Sequence, residues 1–234
     1  MITRYQIKSE TGEQFSFDVQ NHKDLEPREL NSRSDLPDWV KLENYQCTIC
    51  PFTSEKITFC PAAFELQDVI QQCSNCISHE RVELSRLDKE GTVTTETDMQ
   101  RALFAVIGEK VISSACSMLN SRQWSLDYYS ILTTPENLFY RSISSYLMRQ
   151  YFTSPGRRDP DLKGHLDYLD EVIHIFNNLL QRIRGVSSQD ASNNALGSIV
   201  MSGQLLRHQR DDWLEALKGK MGFLGGENKL KKTL

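Results

Sequence analysis

A chain of 234 residues, 39% hydrophobic and 25% charged, has enough apolar material to bury a core without disulfides, as one compact domain or two small lobes. The net charge of −4 and a pI near 5.8 count against a general nucleic-acid binder, which carries a basic field. The opening MITRYQIKSETGEQ has no apolar h-region, and no stretch reaches the roughly 18 apolar residues of a membrane span, so a cytoplasmic protein with no membrane partner is expected.

The first twenty residues predict a hairpin. Tyr5 and Ile7 alternate with polar neighbours, as do Phe15, Phe17 and Val19, and Gly12 lies in the turn between them. The polar, proline-bearing stretch that follows predicts a loop ending near Trp39. Then comes a cysteine-rich segment. Within it, PAAFELQDVIQQ spaces Ala62, Phe64, Leu66, Val69 and Ile70 for a helix over 61–72, with Pro61 at the first helical position. ERVELSRLD and GTVTTET flank KEG as a second hairpin.

From about Met99 the period becomes helical. A helix from Met99 through the region of Met118 is expected, carrying Leu103, Val106, Ile107 and Val111. Thr134 and Pro135 cap and open another, along which Leu138, Phe139, Ile143, Tyr146 and Leu147 recur. SPGRRDPD breaks the pattern, and a strongly amphipathic helix closed by Gly185 follows. Residues 187–221 predict one long helix or two joined near Gly203. The fold class expected is α+β: a β lobe of two hairpins over 1–98 with its cysteine-rich insertion at about 40–76, a helical bundle over 99–222, and a tail over 223–234.

Five of the six cysteines fall between Cys47 and Cys76, spaced C-x2-C-x9-C-x12-C-x2-C, and Cys116 follows 39 residues later. In a reducing compartment clustered cysteines are metal ligands or redox thiols more often than disulfides. No βαβ pattern surrounds either CxxC, so thioredoxin-type redox use is disfavoured. Two ligand sets compete: Cys47, Cys50, Cys73 and Cys76, or Cys47, Cys50 and Cys60 with a distant fourth, for which Cys116 is the best candidate. A helix over 61–72 would hold Cys60 and Cys73 roughly 18–20 Å apart, too far for one ion. Cys60 would precede the helix start, where amides and the dipole favour a thiolate, and Cys73 would lie at the disfavoured end. That geometry favours Cys60. Cys116 alone on an apolar face also reads as simple core, and Cys73 with Cys76 as an unliganded vicinal dithiol or a second partial site.

The stretches LPDWVKLENYQCTICPF, FCPAAFELQDVI and YRSISSYLMRQYF resemble a bacterial family with no assigned function. Its pattern of Cys-x-x-Cys-Pro, a later Cys-Pro opening a helix, and a fourth cysteine about fifty residues on matches Cys47, Cys50, Cys60 and Cys116. The resemblance implies that these four act together; Cys73 and Cys76 fall outside it.

Four thiolates suit structural zinc, with a 4Fe-4S cluster as the alternative. A closed four-thiolate site lacks the open position of a zinc enzyme, and no GxSxG, HExxH, phosphate loop or dinucleotide fingerprint is present. Glu171 and His174 form one i, i+3 pair where a di-iron bundle needs two, and read as a solvent-facing ion pair. His165 is out of phase with His174, and His22, His79 and His208 read as isolated and exposed. The expectation is a non-enzymatic metal-binding protein with an interaction or regulatory role. The C-terminal helices offer a face for a protein partner or a homodimer, although burying the chain's own core is the default use of such stripes.

Overall fold

The computed structural model describes residues 2–22, 36–120, 134–154, 156, 159 and 162–220. Strands β1 (Ile2–Ser9) and β2 (Gln14–Gln20) pair antiparallel with Tyr5 opposite Phe17, and Gly12 takes the positive φ of +93° in their turn. Strands β3 (Arg81–Asp88) and β4 (Gly91–Asp98) form the second hairpin. The hairpins join through β1 and β3, with Ile7 opposite Leu84, to give one antiparallel sheet in the order β2-β1-β3-β4. Alternation decides which face is covered: Tyr5, Ile7, Phe17, Val19, Val82 and Leu84 turn inward, while Arg4 and Asp18 pair on the solvent side.

Between the hairpins, a 3-10 turn (Asp38–Val40) leads into the cysteine-rich segment and two short helices, α1 (Pro61–Phe64) and α2 (Gln67–Gln72). The expected single helix over 61–72 is thus interrupted at Glu65 and Leu66. Both remain in the right-handed region, so the chain continues in nearly the same course.

Helix α3 (Met99–Ile112) is buried on nearly all sides, because the sheet covers one flank and later helices the other. Its Glu109, 7% exposed, accepts the Tyr5 hydroxyl proton at 2.5 Å and faces Arg86 at 3.3 Å, so the buried carboxylate has partners. The helix ends earlier than expected: Ser113 caps it and the Ser114 hydroxyl donates to the Val111 carbonyl at 2.6 Å. Serines that compete for backbone groups favour such a stop. A short α4 (Ser117–Asn120) follows.

Thr134 caps α5 (Pro135–Thr153), its hydroxyl accepting from the Asn137 amide at 3.2 Å. Helix α6 (Lys163–Ile183) packs against α7 (Ala191–His208), and Gly185 takes a φ of +80° after α6 ends. The last described helix is α8 (Arg210–Lys220). The described part of 187–221 therefore holds two helices joined at Gln209, not at Gly203. Gly203 lies inside α7 for another reason: a Cβ there would come within 2.8 Å of Ile173 Cγ1 on α6.

The protein is α+β. One hydrophobic cluster runs from the inner face of the sheet through α3 to α6 and α7. Among the described residues no helix is long and apolar enough to cross a membrane. The expected tail over 223–234 lies outside the described residues.

Candidate metal centre

Three stretches of chain bring cysteines to one place. The first is the turn after residue 46, where the Cys50 amide donates to the Cys47 carbonyl at 3.0 Å, the short bend that a CxxC spacing permits. The second is the entry to α1. Residues 40–42 and 58–60 run antiparallel, with Leu42 N to Thr58 O at 2.9 Å and Cys60 N to Val40 O at 2.8 Å. This ladder delivers Cys60 to the N-cap of α1, and Pro61 occupies the first helical position. The third is the connection after α3, where the Cys116 amide donates to Ser114 Oγ at 3.3 Å and the Cys116 carbonyl accepts from Leu119 at 2.9 Å.

Cys47, Cys50, Cys60 and Cys116 line one cavity of about 20 Å³, closed from below by Ile175, Leu179 and Arg182 of α6. A space of that size holds about one water-sized body. Burial pushes the Cys47 thiol up to about 12, with Cys60 and Cys50 adding to the rise and Arg182 opposing it. Cys116 is likewise pushed up to about 12 by burial first and by Cys60 next. Cys60 is raised by burial, against the pull of Arg182 and of the Ala63 and Ala62 amides. Each of these three thiols is therefore affected by charge on another, which places them within electrostatic reach across the cavity. Among the described residues, no group of three or more Cys, His, Asp or Glu side chains stands close enough together to hold a metal ion as the side chains lie.

Cys73 and Cys76 lie elsewhere. They close the far end of α2, 1% and 4% exposed, inside the hydrophobic cluster. Both are free thiols, and a hydrogen bond between them is the first cause that raises Cys73 and lowers Cys76. The turn they form docks on the start of α7, where the Ala191 amide donates to the Cys76 carbonyl at 3.3 Å and Asp190 accepts from Ser78 N and Oγ at 2.9 Å.

Cys116 is not on the helix that begins at Met99. It follows that helix after the Ser113–Ser114 break and immediately precedes α4. His174, expected in a solvent-facing pair with Glu171, instead turns to the cysteine segment: its Nε2 accepts from the Thr48 amide at 3.3 Å and so holds the turn between Cys47 and Cys50. His22 is half-buried rather than isolated, its Nδ1 2.6 Å from Glu65 Oε1, while His79 and His208 are exposed as expected. His165 is fully buried against Ser142, Nε2 to Oγ at 2.5 Å, and burial lowers it to about 4.

Sequence reading did not single out Arg182. It donates to the carbonyls of Trp39 at 3.0 Å, Lys41 at 2.5 Å and Leu42 at 3.0 Å, and is 4% exposed. The signal was present: Ile175, Leu179 and Arg182 fall on one helical stripe, and a cation on an apolar stripe asks for a partner.

No curated protein and no solved structure matches the chain. The family described as a domain of unknown function (DUF6901) matches residues 2–221. The chain belongs to that family.

Proposed function

We propose that Cys47, Cys50, Cys60 and Cys116 bind one structural zinc ion in a cytoplasmic, non-enzymatic protein with an interaction or regulatory role. The observation that carries this reading is the meeting of four cysteines, from three separate stretches, around one ion-sized cavity. Zinc takes four thiolates at about 2.3 Å without redox demands, and the thiols would draw inward around it. The small cavity favours a single ion over a 4Fe-4S cluster, whose cage is larger.

Four thiolates leave no open coordination position, so the ion would act as a clamp and not as a Lewis acid. It would join the 46–50 turn and the α1 entry to the α3–α4 connection, above α6. An interaction role draws on the exposed apolar side chains of α5, among them Met148, Tyr151 and Phe152, and on the absence of any catalytic motif in the sequence. A protein partner or a second copy would engage the helices.

The test is metal quantification on protein purified without added metal and again after anaerobic reconstitution. About one zinc per chain is expected. A brown preparation carrying iron and sulfide would replace zinc with a cluster. Failure to retain either after reconstitution would overturn the reading.

A further inference from the structure

We infer that Arg182 is the charge partner of the bound metal, a positioning residue that offsets the negative charge four thiolates leave on a divalent ion. This rests on the reading of the four cysteines as one metal site.

Arg182 occupies the last turn of α6 and is 4% exposed. Its guanidinium donates to three carbonyls, those of Trp39, Lys41 and Leu42, and all three acceptors are neutral. Among the described residues, no Asp or Glu forms an ion pair with it. A charge taken out of water costs several kcal/mol unless it is paired, and carbonyl dipoles offset only part of that. Arg182 lines the same cavity as Cys47, Cys50, Cys60 and Cys116.

A divalent ion held by four thiolates carries two surplus negative charges. Arg182 is among the residues that line the cavity, so its fixed charge would supply the opposite sign beside the ion. The need of the buried cation and the need of the anionic centre are complementary. Arginine suits the position because its planar fork can serve several carbonyls at once while its charge stays fixed. Those carbonyls belong to residues 39–42, the strand-like stretch that pairs with 58–60 and precedes the Cys47 turn. One side chain therefore orients the frame of the site and balances its charge.

The experiment separates those two roles with Arg182→Lys and Arg182→Gln. Lysine keeps the charge and gives up the fork; glutamine keeps amide donors and gives up the charge. Zinc affinity is read by competition with a chromophoric chelator, and cobalt(II) replaces zinc to report thiolate coordination. Circular dichroism of the metal-free forms checks the fold. Outer-sphere partners of metal ligands change affinity by about 10–100-fold. The expected result is a loss of about 100-fold for Arg182→Gln and no more than about tenfold for Arg182→Lys, with the cobalt spectrum retained in the lysine variant. Equal losses in the two variants, or none in either while the unaltered protein holds zinc, would overturn the charge role. If the glutamine variant does not fold, the lysine variant decides alone: a loss within about tenfold supports the inference and a larger loss contradicts it. If the unaltered protein takes up no metal, the four-cysteine reading itself has failed, and the outcome is distinct.

Discussion

Cys47 and Cys50 sit on a turn above a small cavity, with Cys60, Cys116 and Arg182 around it. Cys73 and Cys76, with identical spacing, close α2 inside the hydrophobic core as two free, hydrogen-bonded thiols. The spacing gives each pair the same local bend, the amide of the second cysteine donating to the carbonyl of the first at 3.0 Å and 3.1 Å. What differs is the surroundings. The first pair faces two more thiols and a cation from distant parts of the chain; the second faces apolar side chains and the start of α7. A CxxC sets where two sulfurs point, and the tertiary structure decides whether anything else meets them.

The largest expected effect on this contrast is metal removal. A ligand present at about 1,000 times its Kd stabilises by about 4 kcal/mol, which for a chain of this size is about 8–16 °C in Tm. A strong chelator should lower Tm by that order, and hydrogen exchange should rise first in residues 41–60 and around Cys116, with the Cys73–Cys76 turn still protected. Equal deprotection at both ends would erase the distinction between the two pairs.

A smaller effect is expected at the second pair. Cys73→Ser buries a hydroxyl in an apolar setting and should cost about 1–3 kcal/mol in urea unfolding, with metal content unchanged. Cys73→Ala should cost less than the serine variant, because it leaves no polar group to satisfy.

The smallest concerns α1 and α2, the two short helices between Cys60 and Cys73. His22 reaches Glu65 at the α1–α2 junction, and Lys110 reaches Asp68 at 2.9 Å on α2. The Glu65 hydrogen bond raises the His22 pKa above its ordinary value, against the effect of burial. A raised folded-state pKa adds stability that is fully present below the unfolded value of about 6.5 and is lost as pH rises through the folded value. Urea midpoints should therefore fall on going from about pH 6 upward by the equivalent of less than about 1 kcal/mol. His22→Gln should remove this component of the pH dependence. A His22→Gln protein with an unchanged pH profile would show that the pair contributes nothing measurable.

The strands were legible because alternating Tyr5, Ile7, Phe17 and Val19 can bury only one face. The helices were legible from their period and from Thr134–Pro135 and Gly185 at their ends. The joining of β1 to β3 was not, since hairpin signals are local and do not specify which outer edges meet. The end of α3 was hidden because the apolar pattern runs on through Ala115, Met118 and Leu119, although Ser113 and Ser114 stop the helix. Gly203 looked like a joint because the close approach of Ile173 is a tertiary contact. The preference for Cys60 over Cys73 followed from a local fact, that a helix separates them, and α1 and α2 do so with one short interruption. His174 was read as one half of a solvent-facing ion pair and Arg182 was not singled out, because periodicity alone does not say what a helix face will meet.

The most direct test of the central claim is metal per chain in Cys50→Ser, Cys116→Ser and Cys73→Ser, prepared in parallel and checked for fold by circular dichroism. The account predicts that Cys50→Ser and Cys116→Ser both lose bound zinc while Cys73→Ser retains it at the level of the unaltered protein. Retention of zinc in Cys116→Ser together with its loss in Cys73→Ser would contradict the account and move the site to the two CxxC pairs.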